Sequence, residues 1–112
     1  MHIFQEMRLN KGNKVREFKT LEYGIFNILV AIIDNEVYFK TTDIKNILQI
    51  KDYDEYHKDT QEPKKQATNF CNIQTVLNLA NSSSIYYKDG FLLWVKEEHH
   101  RLRNNIVLEI IT

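Results

Sequence analysis

Residues 26–33, Phe-Asn-Ile-Leu-Val-Ala-Ile-Ile, limit what this chain can fold into more than any other stretch, because from Ile28 onward they carry no polar side chain. Successive side chains of a strand point to opposite faces, so Phe26, Ile28, Val30 and Ile32 line one face and Leu29, Ala31 and Ile33 the other. A strand apolar on both faces needs cover on both. Asp34-Asn35 follows, two residues that tolerate the left-handed backbone of a tight primed turn, and Val37-Tyr38-Phe39 is β-rich enough to pair back. This pattern predicts a hairpin of 25–33 with 37–40. Thr42 or Asp43 can then accept a hydrogen bond from a free first-turn amide, and Ile44, Ile47 and Leu48 recur at helical spacing, which predicts a helix over 43–50.

Later elements are less sharply written. Ile73, Val76, Leu77 and Ala80 predict a helix over 73–80, ended by Asn81-Ser82-Ser83-Ser84. Residues 85–95 fit either a hairpin around Asp89-Gly90 or a strand at 85–87 that turns into a helix. The polar run Lys96–Arg103, with Glu97 four residues before Arg101, favours the second and extends that helix over 91–103. Phe91, Trp94, Val95, Glu98 and Leu102 would share its face, and Asn104-Asn105 would cap it. Residues 106–111 alternate as Ile106, Leu108, Ile110 against Val107, Ile111 and predict a last strand. The fold class is therefore α+β: a small antiparallel sheet packed on short helices, with Phe39 and Trp94 as buried anchors of one cluster. Residues 51–66 hold Pro63 and dense charge, and read as a marginal helix or a loop.

With 112 residues, 43% of them hydrophobic, the chain is long enough for one cored domain and short for two. Its apolar positions never run for the ~20 residues of a membrane span, and the start lacks a signal-peptide order, so the expectation is an intracellular protein with no membrane partner. Cys71 is the only cysteine and reads as a buried thiol. The net charge is zero, but unevenly laid out. Residues 1–20 carry five cations against two acids, residues 21–63 four against nine, and residues 64–112 six against four. Polyanion binding rests largely on phosphate neutralisation, so a neutral chain binds nucleic acid well only where its basic ends converge.

No catalytic constellation stands out. His99 and His100 are adjacent, so on a helix they point about 100° apart and do not readily share one ion. Asp52, Asp54, Glu55 and Asp59 have no neighbours suited to bury a carboxyl group, and Gly12, Gly24 and Gly90 are too scattered for a phosphate loop. The expectation is a protein without enzymatic activity or cofactor.

The order of apolar strand, Asp34-Asn35-Glu36, Val37-Tyr38-Phe39, Asp43-Ile44 and Ile47-Leu48 resembles the opening of the N-terminal domain of the baculovirus repeated open reading frame (BRO) family of large DNA viruses and phages. In that family an aromatic residue ends the second strand, an Asp opens the helix and a Leu closes it, as Phe39, Asp43 and Leu48 do here. Residues 84–93, Ser-Ile-Tyr-Tyr-Lys-Asp-Gly-Phe-Leu-Leu, are similar to the family's second signature of short strand, acidic Gly turn and apolar helix start. The resemblance covers about 21–50 and 84–103, and implies one BRO-N-like domain over 1–112, with a basic N-terminal segment 1–20, acting on DNA inside a virus-infected cell. The chain departs from the family after the first helix, where a Gly-Tyr pair and a basic helix give way to Gln49-Ile50 and Asp52-Tyr53-Asp54-Glu55.

Two functions follow. One is a DNA-binding module with Arg8, Lys11, Lys14, Arg16, Lys19, Lys64, Lys65, Arg101 and Arg103 on phosphates. The other is a protein-interaction module of the same fold, binding itself or a partner protein through an exposed edge strand or through Tyr53 and Tyr56. Those two tyrosines, with His57, sit at a spacing that also suits base stacking or packing back on the core. Geometry separates the two readings: the first needs the basic N-terminal segment beside Arg101 and Arg103.

Overall fold

A computed structural model describes residues 6–8, 15–51 and 69–111 of the chain. Five strands form one antiparallel sheet: β1 (Glu6–Arg8), β2 (Val15–Tyr23), β3 (Phe26–Ile33), β4 (Glu36–Lys40) and β5 (Asn69–Cys71). Their spatial order is β1-β5-β4-β3-β2. Among the described residues three helices accompany it: α1 (Thr41–Leu48), α2 (Ile73–Ser82) and α3 (Lys88–Ile111). The protein is α+β, as the residue pattern predicts.

Two-residue turns join β2, β3 and β4 into a meander. Asp34 and Asn35 both sit at positive φ, 51° and 63°, the requirement of a type I′ turn. Between β2 and β3, Gly24 takes φ 61° while Ile25 stays out of the left-handed region, the arrangement of a type II′ turn with glycine first. Such turns make Ile33 and Glu36, and Tyr23 and Phe26, the closing pairs of their ladders. Odd-numbered residues of β3 therefore aim their amide and carbonyl groups at β4, and even-numbered ones at β2.

That alternation leaves Leu29 with a donor aimed beyond the last β3–β4 pair, Val30 with Phe39. The chain turns into α1 at Lys40, which offers the helix no side-chain cap. Asp43 fills the gap by accepting the Leu29 N–H at 2.9 Å. Its carboxylate thus extends the sheet's hydrogen bonding where the predicted cap by Thr42 or Asp43 does not form, and its place in the first turn also suits the helix dipole. α1 ends at Gln49 (φ 54°), whose N–H and that of Ile50 return to the Asn46 and Lys45 carbonyls at 3.3 and 3.0 Å. α2 starts under a conventional cap, Asn72 Oδ1 accepting the Thr75 N–H at 2.9 Å.

The main core lies between the helices and one face of the sheet. Ile28, Val30, Ile32, Val37 and Phe39 meet Ile44, Ile47 and Leu48 of α1, Val76 and Leu79 of α2, and Phe91, Val95, Leu102 and Ile106 of α3. On the opposite face Ala31, Ile33 and Phe70 are also buried, so β3 is covered on both sides as its composition demands. Ser83 donates to the Leu48 carbonyl at 2.8 Å and Tyr87 to the Ile47 carbonyl at 2.5 Å, fastening the α2–α3 connection to the end of α1.

Three sequence expectations are corrected. Residues 85–87 are not a strand but a connection with a turn at 86–87, held by the Ile85 N–H on Ser83 Oγ at 3.1 Å and by the Tyr87 hydroxyl. Residues 106–111 are not a strand either. They continue α3 through Asn104-Asn105, because Ile106 extends the buried stripe of Phe91, Val95 and Leu102 at helical spacing and no Gly or Pro interrupts it. Trp94 is only partly buried, packed on Tyr23 with ring centroids 4.8 Å apart, and Phe91 is the fully buried aromatic of α3. Within segment 1–20, residues 6–8 and 15–20 are strand.

Replacing Phe91 by Ala should cost about 3–5 kcal/mol, and Trp94→Ala clearly less, in urea unfolding monitored by circular dichroism. Asp43→Ala should cost about 1–3 kcal/mol by stranding the Leu29 amide, whereas Asp43→Asn keeps an acceptor and loses less.

Candidate functional site

Among the described residues, the cations named for phosphate contact stand on three different elements. Arg8 lies on β1, at one edge of the sheet, whereas Arg16 and Lys19 lie on β2, at the other. Four interstrand steps of about 4.8 Å separate those edges along the sheet. Lys11, Lys14, Lys64 and Lys65, and with them Tyr53 and Tyr56, lie outside the described residues. Arg101 and Arg103 are exposed on α3, yet each is already paired. Arg101 contacts Glu98 one turn back at 2.8 Å, and Arg103 Nη1 reaches both Glu36 carboxylate oxygens at 2.7 and 2.8 Å.

Two other places on the helix side hold polar groups. A cavity of about 480 Å³ lies between the end of α1 and the α2–α3 connection, lined by residues that include Gln49, Ile50, Ser82, Ser83 and Tyr86. Ser82 and Ser83 spend their protons on the Leu79 and Leu48 carbonyls, and no ionisable group other than Tyr86 lines the space. His99 stands on α3 with its ring 6.3 Å from that of Phe39. Among the described residues no group of three or more His, Cys, Asp or Glu side chains is arranged to hold a metal ion. No described helix is long and apolar enough to cross a membrane.

The remaining feature is the free edge of the sheet. β2 is nine residues long and, among the described residues, no strand lies beyond it. Thr20 stands opposite Leu29, whose amide points away from β2 to Asp43. In an antiparallel ladder the two members of such a pair both face away from each other, so Thr20 presents its N–H and C=O outward, and Phe18 and Glu22 do the same two residues away. Glu17, Lys19 and Leu21 bond inward to Ile32, Val30 and Ile28.

The side chains along this edge are sorted by face. Glu17, Lys19, Leu21 and Tyr23 lie on the helix side, since their partners Ile32, Val30, Ile28 and Phe26 belong to the helix-facing core. Phe18 lies on the other face, 51% exposed, with its ring 6.3 Å from the buried ring of Phe70. A register irregularity between Val15 and Glu17 bends the start of the strand.

Sequence reasoning read residues 1–20 as a basic N-terminal segment and did not place a strand edge there. Gly24, a turn signal followed by an apolar strand, was the available clue. Comparison of the chain with protein-family models, curated proteins and solved structures finds no match.

His99 supplies a pH-dependent term. Burial holds its imidazole below the usual range, Arg103 and His100 push the same way, and Glu36 opposes them. A histidine lowered in the folded state stabilises the fold while neutral, fully above its unfolded value of about 6.5, and that share is lost as pH falls through this value toward the folded one. Unfolding free energy should therefore decline on acidification from about pH 7 toward 5 more in the native chain than in His99→Gln. Parallel curves for the two proteins in chemical denaturation would exclude this role.

Proposed function

We propose that this chain is a protein-interaction module without enzymatic activity, which accepts an extended segment of a partner protein onto the edge of β2. The outward amides and carbonyls of Phe18, Thr20 and Glu22 carry this reading. Main-chain bonds to such an edge supply affinity for any strand, and side chains on its two faces supply the choice among strands. Exposed Phe18 gives one face an apolar anchor, while Glu17 and Lys19 give the other a charged one.

Charge supports the same reading over a polyanion. The chain is neutral, its α3 arginines are paired with Glu98 and Glu36, and Arg8 lies across the sheet from Arg16 and Lys19. The DNA-binding role that goes with the BRO resemblance draws its support from the hairpin-to-helix order of β3, β4 and α1, in which Phe39, Asp43 and Leu48 hold the family's positions. Under either reading the protein would work inside an infected cell.

A nine-residue random peptide display, selected on the native chain and counter-selected on Thr20→Pro, tests the proposal. Proline removes one outward donor at a position where an edge strand tolerates it. The expected result is enrichment of alternating apolar and polar peptides that Thr20→Pro fails to hold. Peptides held equally by both proteins, or none at all alongside a salt-steep gel shift of mixed-sequence duplex DNA, would overturn it.

A further inference from the structure

We propose that the strand taken up at this edge is β2 of a second copy, paired antiparallel about a two-fold axis through Phe18; this rests on the edge reading above. Four observations lead there. β2 ends the described sheet, Phe18, Thr20 and Glu22 aim their main-chain groups outward, Phe18 is half exposed, and Glu17 and Lys19 flank Phe18 on one shared face with opposite charges.

A two-fold axis perpendicular to the sheet keeps both helix layers on one side and sets residue i opposite residue j with i and j on the same face. Only registers centred on a residue satisfy that condition, and the strand's own sequence sorts them. Centring on Glu17 places Glu17 against its copy, and centring on Lys19 places Lys19 against its copy; each sets like charges face to face, which is destabilising. Centring on Thr20 puts Lys19 opposite Leu21 and Phe18 opposite Glu22, and centring on Leu21 puts Lys19 opposite Tyr23; neither forms an ion pair.

The register centred on Phe18 differs in kind. It sets Glu17 of each copy opposite Lys19 of the other, twice by symmetry, on the helix side. On the opposite face it sets the two Phe18 rings against each other. Its hydrogen bonding is consistent as well. Phe18 carries outward main-chain groups, so the central pair exchanges two N–H to C=O bonds, and Thr20 of each copy aims its own main-chain groups toward the other copy. The flanking pairs of Glu17 with Lys19 are then non-hydrogen-bonded pairs, the type in which side chains approach more closely, at a Cα separation of about 4.5 Å. The irregularity at Val15–Glu17 falls where this ladder ends and limits its length.

Charge exchange tests the register on the full 112-residue chain, with self-association read by sedimentation equilibrium and folding by circular dichroism. Native protein should associate to a dimer. Glu17→Lys and Lys19→Glu should each weaken dimerisation by about tenfold or more, since each sets like charges across the axis. An equimolar mixture of the two single variants should associate again, because in the mixed dimer both flanking pairs are of opposite sign, and the double variant E17K/K19E should do so alone. That rescue also shows that neither single variant failed by misfolding. A native chain that sediments as a monomer at all concentrations up to about millimolar, single variants that dimerise like the native chain, or a mixture that stays monomeric would each overturn the proposal. Peptide capture sensitive to Thr20→Pro alongside any of those outcomes would leave the edge reading standing and remove only the second copy as its occupant. Dimerisation unchanged in Thr20→Pro would remove both.

Discussion

Because Ile28, Val30 and Ile32 are buried on one face of β3 and Ala31 and Ile33 on the other, this strand cannot sit where either face meets water. Burying five such side chains removes apolar surface at about 25 cal/mol per Å², a gain available only if β3 is flanked by strands and sandwiched by other parts of the chain. The rest follows from that placement. β2 and β4, joined to β3 by turns of two residues, must be its neighbours, and α1 leaves β4 directly onto the helix-side face. α3 then crosses the same face from Tyr23, whose ring lies 5.1 Å from Phe91, to Glu36, which holds Arg103.

Turn geometry fixes more than neighbours. A two-residue primed turn decides which residues of each strand bond inward, so the same Asp34-Asn35 and Gly24-Ile25 turns that close the meander also decide that Leu29 faces β4 and Thr20 faces outward. One of these surplus donors is satisfied within the fold: Asp43 takes the Leu29 amide. On the other side of β2 no described strand takes the groups of Phe18, Thr20 and Glu22. A side chain borrowed from a helix thus completes the β3–β4 ladder, and among the described residues β2 has no neighbour on its outer side.

How much of this was legible in the sequence depended on the range of the signal. The β3–β4 hairpin, α1 and α2 were readable because periodicity, turn residues and apolar anchors lie within about 25 residues of one another. The extent of α3 was misread because Ile106–Ile111 alternates like a strand, and only the depth of Ile106 in the core, on one line with Leu102, shows which period governs. β5 was missed because three residues, Asn69-Phe70-Cys71, carry no period at all; their strand character comes from pairing with β1 and β4. The edge of β2 was missed for a different reason. Arg16, Glu17 and Lys19 drew attention as charge, and charge conceals alternation when half the strand's side chains are solvated. Of the cations named for DNA, sequence could not foresee that Arg103 would be spent on Glu36, 67 positions away.

Charged residues on an edge strand usually serve to repel other strands, and Lys19 with Glu17 would do so against strands that lack their complement. Repulsion of that kind is selective, however, because a charge blocks only those partners that lack its complement at the facing position. An edge that carries both signs two residues apart, about a central residue, lacks protection against one strand in particular: its own copy, reversed. Glu17, Phe18 and Lys19 have that arrangement, and like charges meet in the two neighbouring registers. The same two side chains that would select among strands at β2 would therefore also choose the register of its pairing with itself, while the solvated ion pair they form adds little to its strength. Strength would come from the main-chain bonds at Phe18 and from the two aromatic rings, and the charges would supply the address.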